Sequence, residues 1–300
     1  MRAAAIFGPG CSAKDLRPFQ TISEATWLTG GLPADSNGAD AILVFGGDGT
    51  VHRHLTELVR LQLPVLVVPC GSGNDFAWAL GLRGVSDSLA AWHKFSKSGG
   101  NAWTIDLGTI MPLPSRDAGE GARATQLASP HYFCCVGGVG LDGEIARRAN
   151  RLPRWLRAHG GYALSLLPAL ARFAPVSMKI SAGGTEHPQV AGSARPVVVA
   201  AFANAPAYGG RMKIAPRAQL DDGILDVCII RDMNRLKLFC LFPTIYFGRH
   251  LSIPQVEYFQ ADRLRLETEE LLDVYADGEY VCQTPIEVGV ARGALRVIRG

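Results

Sequence analysis

No stretch of this 300-residue chain runs apolar for the roughly 20 residues that a membrane-spanning helix needs. The longest apolar regions, Tyr162 to Phe173 and Leu236 to Phe247, are interrupted by Pro168 and Pro243. Met1 to Phe7 is expected to form a short strand ending at Gly8 rather than a secretory signal, which has a longer apolar core and a cleavage site. Cys-x-x-Cys does not occur. The seven cysteines, odd in number with one vicinal pair at Cys134-Cys135, fit a reducing compartment better than a disulfide framework. Charge of one sign is scarce: 30 Lys and Arg against 27 Asp and Glu leave +3, too little to imply nucleic acid. A P-loop is absent, because Ala13 stands where a glycine should precede Lys14. Gly8 to Ala13 fits the loose pattern G-x-G-x-x-A, yet no second strand ends in an acid about 20 residues on, as a dinucleotide fingerprint requires. The expectation is a cytoplasmic protein, binding no nucleic acid and able to touch the inner face of a membrane, of unknown oligomeric state.

What is present begins with apolar content. At 48% apolar the chain buries substantial cores, and its length favours two domains over one. Ala41 to Phe45 is short, continuous and rich in branched residues, as a buried parallel strand is. Gly46-Gly47-Asp48-Gly49-Thr50 follows, then a helical pattern from Val51 to Leu61. Glycines at that point let bare backbone approach a ligand, and Thr50 is expected to cap a helix whose positive end faces that ligand. A phosphate suits such a site. Asp48 would repel phosphate unless a metal ion or an unusual hydrogen-bond role lies between, so its presence suggests a magnesium nucleotide. A ligand-free turn is the competing reading.

Val65 to Pro69 repeats the arrangement, leading into Cys70-Gly71-Ser72-Gly73-Asn74-Asp75 and a helix from Ala77 to Leu82. Two neighbouring parallel strands then end in glycine-rich loops on one edge, where open α/β sheets bind ligands. Gly71 and Gly73 give close approach, Ser72 a hydroxyl, and Asn74 and Asp75 either cap a helix or contact ribose and phosphate.

These two loops, Gly-Gly-Asp-Gly-Thr and the later Gly-Ser-Gly-Asn-Asp-Phe-Ala, resemble the diacylglycerol kinase catalytic-domain family, which includes sphingosine, ceramide and bacterial lipid kinases, with NAD kinases as more distant relatives. Further motifs follow in family order: Ile105 to Gly108, Tyr132 to Asp142, Asn204 to Pro216, Leu220 to Asp226 and Asp277-Gly278-Glu279. The loop after the first strand departs, with Gly8-Pro9-Gly10 in place of the family's Asn-Pro-x-Ser-Gly pattern. The resemblance implies an N-terminal open parallel α/β nucleotide-binding domain, residues 1–110, followed by a loop at 111–130 and an antiparallel β-sandwich-like lipid-substrate domain at 131–300. It implies ATP as phosphoryl donor, Mg2+, and a lipid hydroxyl of diacylglycerol kind as acceptor in the cleft between the domains. Gly46, Gly47, Asp48, Gly49, Thr50, Gly71, Ser72, Gly73, Asn74 and Asp75 would bind the nucleotide. Asp277 would take or orient the hydroxyl proton and Glu279 support it. Asp48, Asp106 and Asp222 are the metal candidates, the last within the Asp221, Asp222 and Asp226 group where the family implies a structural magnesium. By local propensity alone, Asp277-Gly278 is a type I′ hairpin turn and Asp222-Gly223 an ordinary turn. A soluble-substrate kinase of NAD kinase type and an inactive nucleotide-binding regulatory module are the alternatives.

Two helical stretches interrupt the β-rich half. Residues 145–173 carry Arg147, Arg148, Arg151, Arg154, Arg157 and Arg172, no acid, and interleaved Trp155, Leu156 and Tyr162, a composition suited either to a membrane surface or to a solvated arginine face. Asn234 to Phe247 is mostly apolar and is expected to pack on the sheet.

Overall fold

The computed structural model describes residues 1–114, 129–151, 168–170, 173–183 and 194–300. Residues 115–128 of the expected inter-domain loop, and 152–167 and 171–172 of the arginine-rich segment, lie outside them. The chain forms two compact units, Met1–Leu107 together with Arg292–Gly300, and Gly108–Ala291. Residues 292–300, assigned by sequence to the second domain, therefore cluster with the first.

The first unit contains strands β1 (Arg2–Phe7), β2 (Thr26–Leu28), β3 (Ala41–Gly46) and β4 (Val65–Pro69) and helices α1 (Ala13–Thr21), α2 (Asp48–Leu61), α3 (Asp75–Ala79) and α4 (Val85–Ser98). Strands β2, β1, β3 and β4 pair in that order, all parallel. The carboxyl end of β15 (Ile286–Ile298) adds a parallel neighbour to β4 at Val297 and Val65. All six residues of β3 are buried, as the unbroken apolar run requires of a strand covered on both faces. Phe45 stacks on Phe7 at 5.2 Å and meets Phe19 of α1 edge-on at 5.3 Å. In α2 the buried residues Val51, Leu55, Leu58 and Leu61 recur at helical spacing, and Gln62 ends the helix at φ 53°. Ser12 and Asp15 start α1 with a capping box.

The second unit is antiparallel. It holds the later part of β5 (Ala102–Pro112), β6 (His131–Phe133), β7 (Val136–Gly140), α5 (Leu141–Arg151), β8 (Val176–Gly183), β9 (Arg195–Ala203) and β10 (Leu225–Arg231). Helix α6 (Arg235–Tyr246) follows, then β11 (Val256–Ala261), β12 (Arg263–Thr268), β13 (Asp273–Ala276), β14 (Glu279–Gln283) and the first part of β15. One path of paired strands runs β14-β13-β7-β9-β8-β12-β15, while β10 lies between β9 and β11. Their inward residues share one apolar core that includes Ile110, Phe133, Phe202, Val227, Phe259 and Leu264. Within the Tyr132 to Asp142 motif, β6 and β7 are separate strands, broken at Cys134-Cys135. Strand β11 escaped the sequence reading because its buried positions, Val256, Phe259 and Ala261, do not alternate regularly. Among the described residues no helix is long and apolar enough to cross a membrane.

Because β15 completes the first unit's sheet, a cavity there should destabilise a unit that is otherwise built almost 200 residues earlier. Leu295 is fully buried, and Leu295→Ala should cost about 2–5 kcal/mol in urea unfolding.

Candidate active site

The two glycine loops of the first unit touch backbone to backbone. A Cβ built on Gly71 would lie 2.5 Å from the Gly47 Cα, and one built on Gly47 would lie 3.0 Å from the Gly71 Cα. No side chain larger than hydrogen fits at either place. Cys70 N–H donates to the Gly46 carbonyl at 3.1 Å, carrying the β3–β4 pairing into the loops. Asn74 closes the second loop on itself: its Oδ1 accepts from Gly71 N–H at 2.9 Å and its Nδ2 donates to the Gly71 carbonyl at 2.7 Å. Its backbone sits in the left-handed region at φ 56°, which asparagine tolerates better than most residues.

Asp48 binds the loops together electrostatically. Its Oδ2 accepts from Asp75 N–H and its Oδ1 from Phe76 N–H, both at 3.0 Å. The carboxylate of one loop thus caps the helix that opens the other, a charge-assisted use of the positive helix end. This is the hydrogen-bond role that the sequence left open as an alternative to a metal. Gly73 gives it room, since a Cβ there would lie 3.0 Å from Asp48 Oδ2. Asn74 is at the cap position of α3 but bonds no helix amide with its side chain.

Thr50 has a different job from the capping expected of it. Helix α2 starts two residues earlier, with Gly47 at its cap and no side chain bonded to the first amides. Thr50 is buried, and its side chain fills the space beside Gly8 and Gly46, where built Cβ atoms would lie 2.2 and 2.4 Å from its Oγ1. It joins the ends of β1 and β3. Gly71 and Ser72 are exposed. The loops therefore present backbone and a helix amino terminus to solvent, the arrangement that receives phosphate.

In the second unit Asp277 and Gly278 form the two-residue turn between β13 and β14, with φ 51° and 83°. Both values are positive, as a type I′ turn demands. The Asp277 carboxylate is held from two sides: Oδ2 accepts from Cys134 N–H at 2.7 Å and Oδ1 from Cys135 N–H at 2.8 Å. Behind them Asn204, fully buried, donates Nδ2 to the Cys134 carbonyl at 3.1 Å and its N–H to the Cys135 carbonyl at 2.8 Å. A relay of hydrogen bonds thus runs from Asn204 through the two cysteine peptides to Asp277. Sequence reasoning missed this support, because backbone donors leave no residue signature. Only the break in the strand pattern at Cys134-Cys135 could have signalled it. Glu279 is exposed at the start of β14.

The metal candidates each have a backbone partner. Beyond Asp48, Asp106 Oδ1 accepts from Gly293 N–H at 2.7 Å and Asp222 Oδ1 from Ile224 N–H at 3.3 Å. Asp226 is buried on β10 and accepts the Tyr258 hydroxyl at 2.7 Å, with Gln260 alongside. Burial pushes its carboxyl above the ordinary value, outweighing the hydrogen bonds from Tyr258 and Gln260 and the attraction of Arg217. Among the described residues no three His, Cys, Asp or Glu side chains are grouped to hold a metal. They do not build a metal cage from protein alone. In the arginine-rich segment, Arg147 and Arg148 both pair with Glu144, which immediately precedes it, the latter at 2.6 Å. Those two arginines face a carboxylate of their own helix. Arg154, Arg157 and Arg172 lie outside the described residues.

Comparison with known proteins decides the family. The diacylglycerol kinase catalytic domain matches residues 18–110 and the YegS C-terminal NAD kinase beta sandwich-like domain matches 136–299. A diacylglycerol kinase of Mycobacterium tuberculosis is 33% identical over 266 residues, spanning 89% of this chain and 79% of its own. The chain belongs to the diacylglycerol kinase catalytic-domain family. It is a lipid kinase of that family, built as an α/β unit and a β-sandwich-like unit. A crystal structure of a Bacillus anthracis diacylglycerol kinase superimposes with a TM-score of 0.66 at 18% identity, covering 100% of this chain and 97% of that one. An Archaeoglobus fulgidus NAD kinase in complex with ATP gives 0.53 at 13%, covering 100% and 94%. At these identities the likeness is one of fold.

Two measurements test the site's construction. Gly71→Ala should drive the loops apart and weaken nucleotide binding at least tenfold by calorimetry, since the atom it meets is backbone and has nowhere to go. The raised Asp226 carboxyl favours the protonated folded state, so its contribution to stability falls as pH rises from the unfolded carboxylate value through the raised folded one. Asp226→Asn should then melt at or above wild type at pH 7, while Asp226→Ala, which strands the Tyr258 hydroxyl, should lose about 1–3 kcal/mol. A fall in melting temperature with chelator, matched by Asp226→Asn, would return Asp226 to a metal.

Proposed function

We propose that this lipid kinase transfers the γ-phosphoryl group of ATP to the hydroxyl of a diacylglycerol-like lipid. The observation that carries the reading is the backbone clasp of the two glycine loops at the carboxyl ends of adjacent parallel strands, with the amino terminus of α2, which no side chain caps, opening directly from the first of them. The name of the Mycobacterium tuberculosis relative supports the substrate class. Gly46 to Thr50 and Gly71 to Asp75 would receive the nucleotide, through amides and the Ser72 hydroxyl. Asp48 keeps the two loops in register rather than meeting phosphate directly. Phosphoryl transfer depends chiefly on positioning and charge stabilisation, so the absence of a P-loop lysine is compatible with it. Magnesium entering with the nucleotide would neutralise phosphate charge. It would draw its oxygens largely from phosphates and water, as that ion commonly does.

Asp277 would receive the acceptor hydroxyl. A carboxylate fixed through both oxygens by peptide N–H groups cannot swing away, and it accepts the hydroxyl proton as the new P–O bond forms and the bond to the nucleotide's leaving oxygen breaks. Glu279, two residues on, would support the site.

The test is transfer of labelled γ-phosphate from ATP to diacylglycerol, phosphatidylglycerol, ceramide and sphingosine in mixed micelles, with NAD as soluble acceptor. Diacylglycerol should be labelled. Asp277→Asn should lower turnover about 10²–10⁴-fold while keeping ATP affinity; asparagine also accepts the positive φ, but its amide leaves one of the two cysteine N–H groups without an acceptor, so melting temperature is read beside turnover. Label in NAD alone would make the protein a soluble-substrate kinase. Undiminished turnover in the variant would remove Asp277 from the reaction.

A further inference from the structure

Helix α6 is apolar on both sides. One face, Leu238, Leu241, Phe242 and Ile245, is buried as expected of a helix lying on a sheet. The opposite face should be polar in a helix whose outer side meets water. Instead Leu236 is 73% exposed, Phe239 50%, Tyr246 38% and Phe247 73%. Cys240 and Pro243 are exposed between them. Positions 236, 239, 240, 243, 246 and 247 follow the helical repeat, so they form one continuous stripe along the helix and into its last turn.

Cations sit at both ends of the stripe. Arg235 and Lys237 flank its start and Arg249 its end, with the Arg249 guanidinium 6.0 Å from the centre of the Phe247 ring. Lys213 is exposed beside the same end, its backbone N–H donating to the Ile245 carbonyl at 3.2 Å. Among the described residues none of these four cations has an ion-pair partner. From Met233 to Val256 the chain carries no acid. Beside the first turn of α6 lies a cavity of about 250 Å³, whose apolar wall of Leu170, Phe173, Val198 and Leu238 is edged by Asp232 and Arg235.

We propose that the outer face of α6 docks on the surface of an anionic lipid bilayer. Aromatic and aliphatic side chains on one face with basic residues beside them form the pattern of a helix lying in the interface, its apolar side at the acyl boundary and its cations among the headgroups. The charge pattern argues against a second copy of this chain as occupant, because a two-fold pairing of the face would set like cations against one another. The stripe itself belongs to α6 and not to residues 145–173, whose composition suits a membrane surface or a solvated arginine face. It lets the kinase proposed above meet its lipid at the bilayer, though vesicle binding can be measured without any turnover.

The experiment is co-sedimentation of the full chain with phosphatidylcholine vesicles, with and without phosphatidylglycerol. Wild type should bind the anionic vesicles well above the neutral ones. Leu236→Asp with Phe247→Asp should weaken that binding at least tenfold, with melting temperature and turnover of a dispersed short-chain diacylglycerol unchanged. Arg235→Gln with Lys237→Gln, which spares every apolar residue, should lower anionic binding roughly 25-fold, at about fivefold per basic residue. Binding equal to wild type in both double variants would overturn the proposal. So would a wild type that ignores vesicles but self-associates through this face, shown by the apolar variant eluting as a smaller species. Loss of turnover on every lipid with vesicle binding intact would count against the proposed reaction and leave the docking face standing.

Discussion

The contact between the Gly47 and Gly71 backbones is the constraint on which the first unit's candidate site depends. Two parallel strands end side by side, and their loops can meet only where neither residue carries a Cβ. Once they meet, Asp48 reaches across to the amides that open α3, and Asn74 folds its own loop onto Gly71. Each interaction needs the one before it. The negative charge that looked incompatible with a phosphate site is consumed in holding the second loop, which leaves peptide dipoles to define the electrostatics.

The second unit places its candidate acid by another means. Asp277 sits at the tip of a hairpin, a position that is normally mobile. Here two peptide N–H groups hold the carboxylate and a buried asparagine holds those peptides. The rigidity of the acid therefore derives from the core beneath Asn204 rather than from the turn. Raising that order at a half-buried tip costs conformational freedom, which the amide-to-carboxylate bonds offset.

Much of this was legible in the chain. Parallel strands β1, β3 and β4 were visible as apolar runs, though β2, three residues with largely exposed side chains, was not; the loops were visible as glycines directly after β3 and β4, and the hairpin at Asp277-Gly278 as a turn pair. What stayed hidden was tertiary. The threonine at 50 looks like a cap by residue type, but the helix begins at Asp48 and the hydroxyl fills space between glycines. Asp48 has the same composition whether it meets a metal or two amides, and only the geometry of the neighbouring loop distinguishes them. The exposed stripe of α6 could not be read either, since a helix apolar all round gives the same pattern whether one face or both are covered.

The last nine residues carry a consequence for how the molecule is made. Strand β4 gains its outer partner only at Val297, after the whole second unit has been synthesised. Until residues 292–300 exist, the nascent first unit presents β4 as an open strand edge, the kind of surface that recruits unintended partners. Translation order and sheet order run opposite to one another here, so the first unit, though first out of the ribosome, is the last to close.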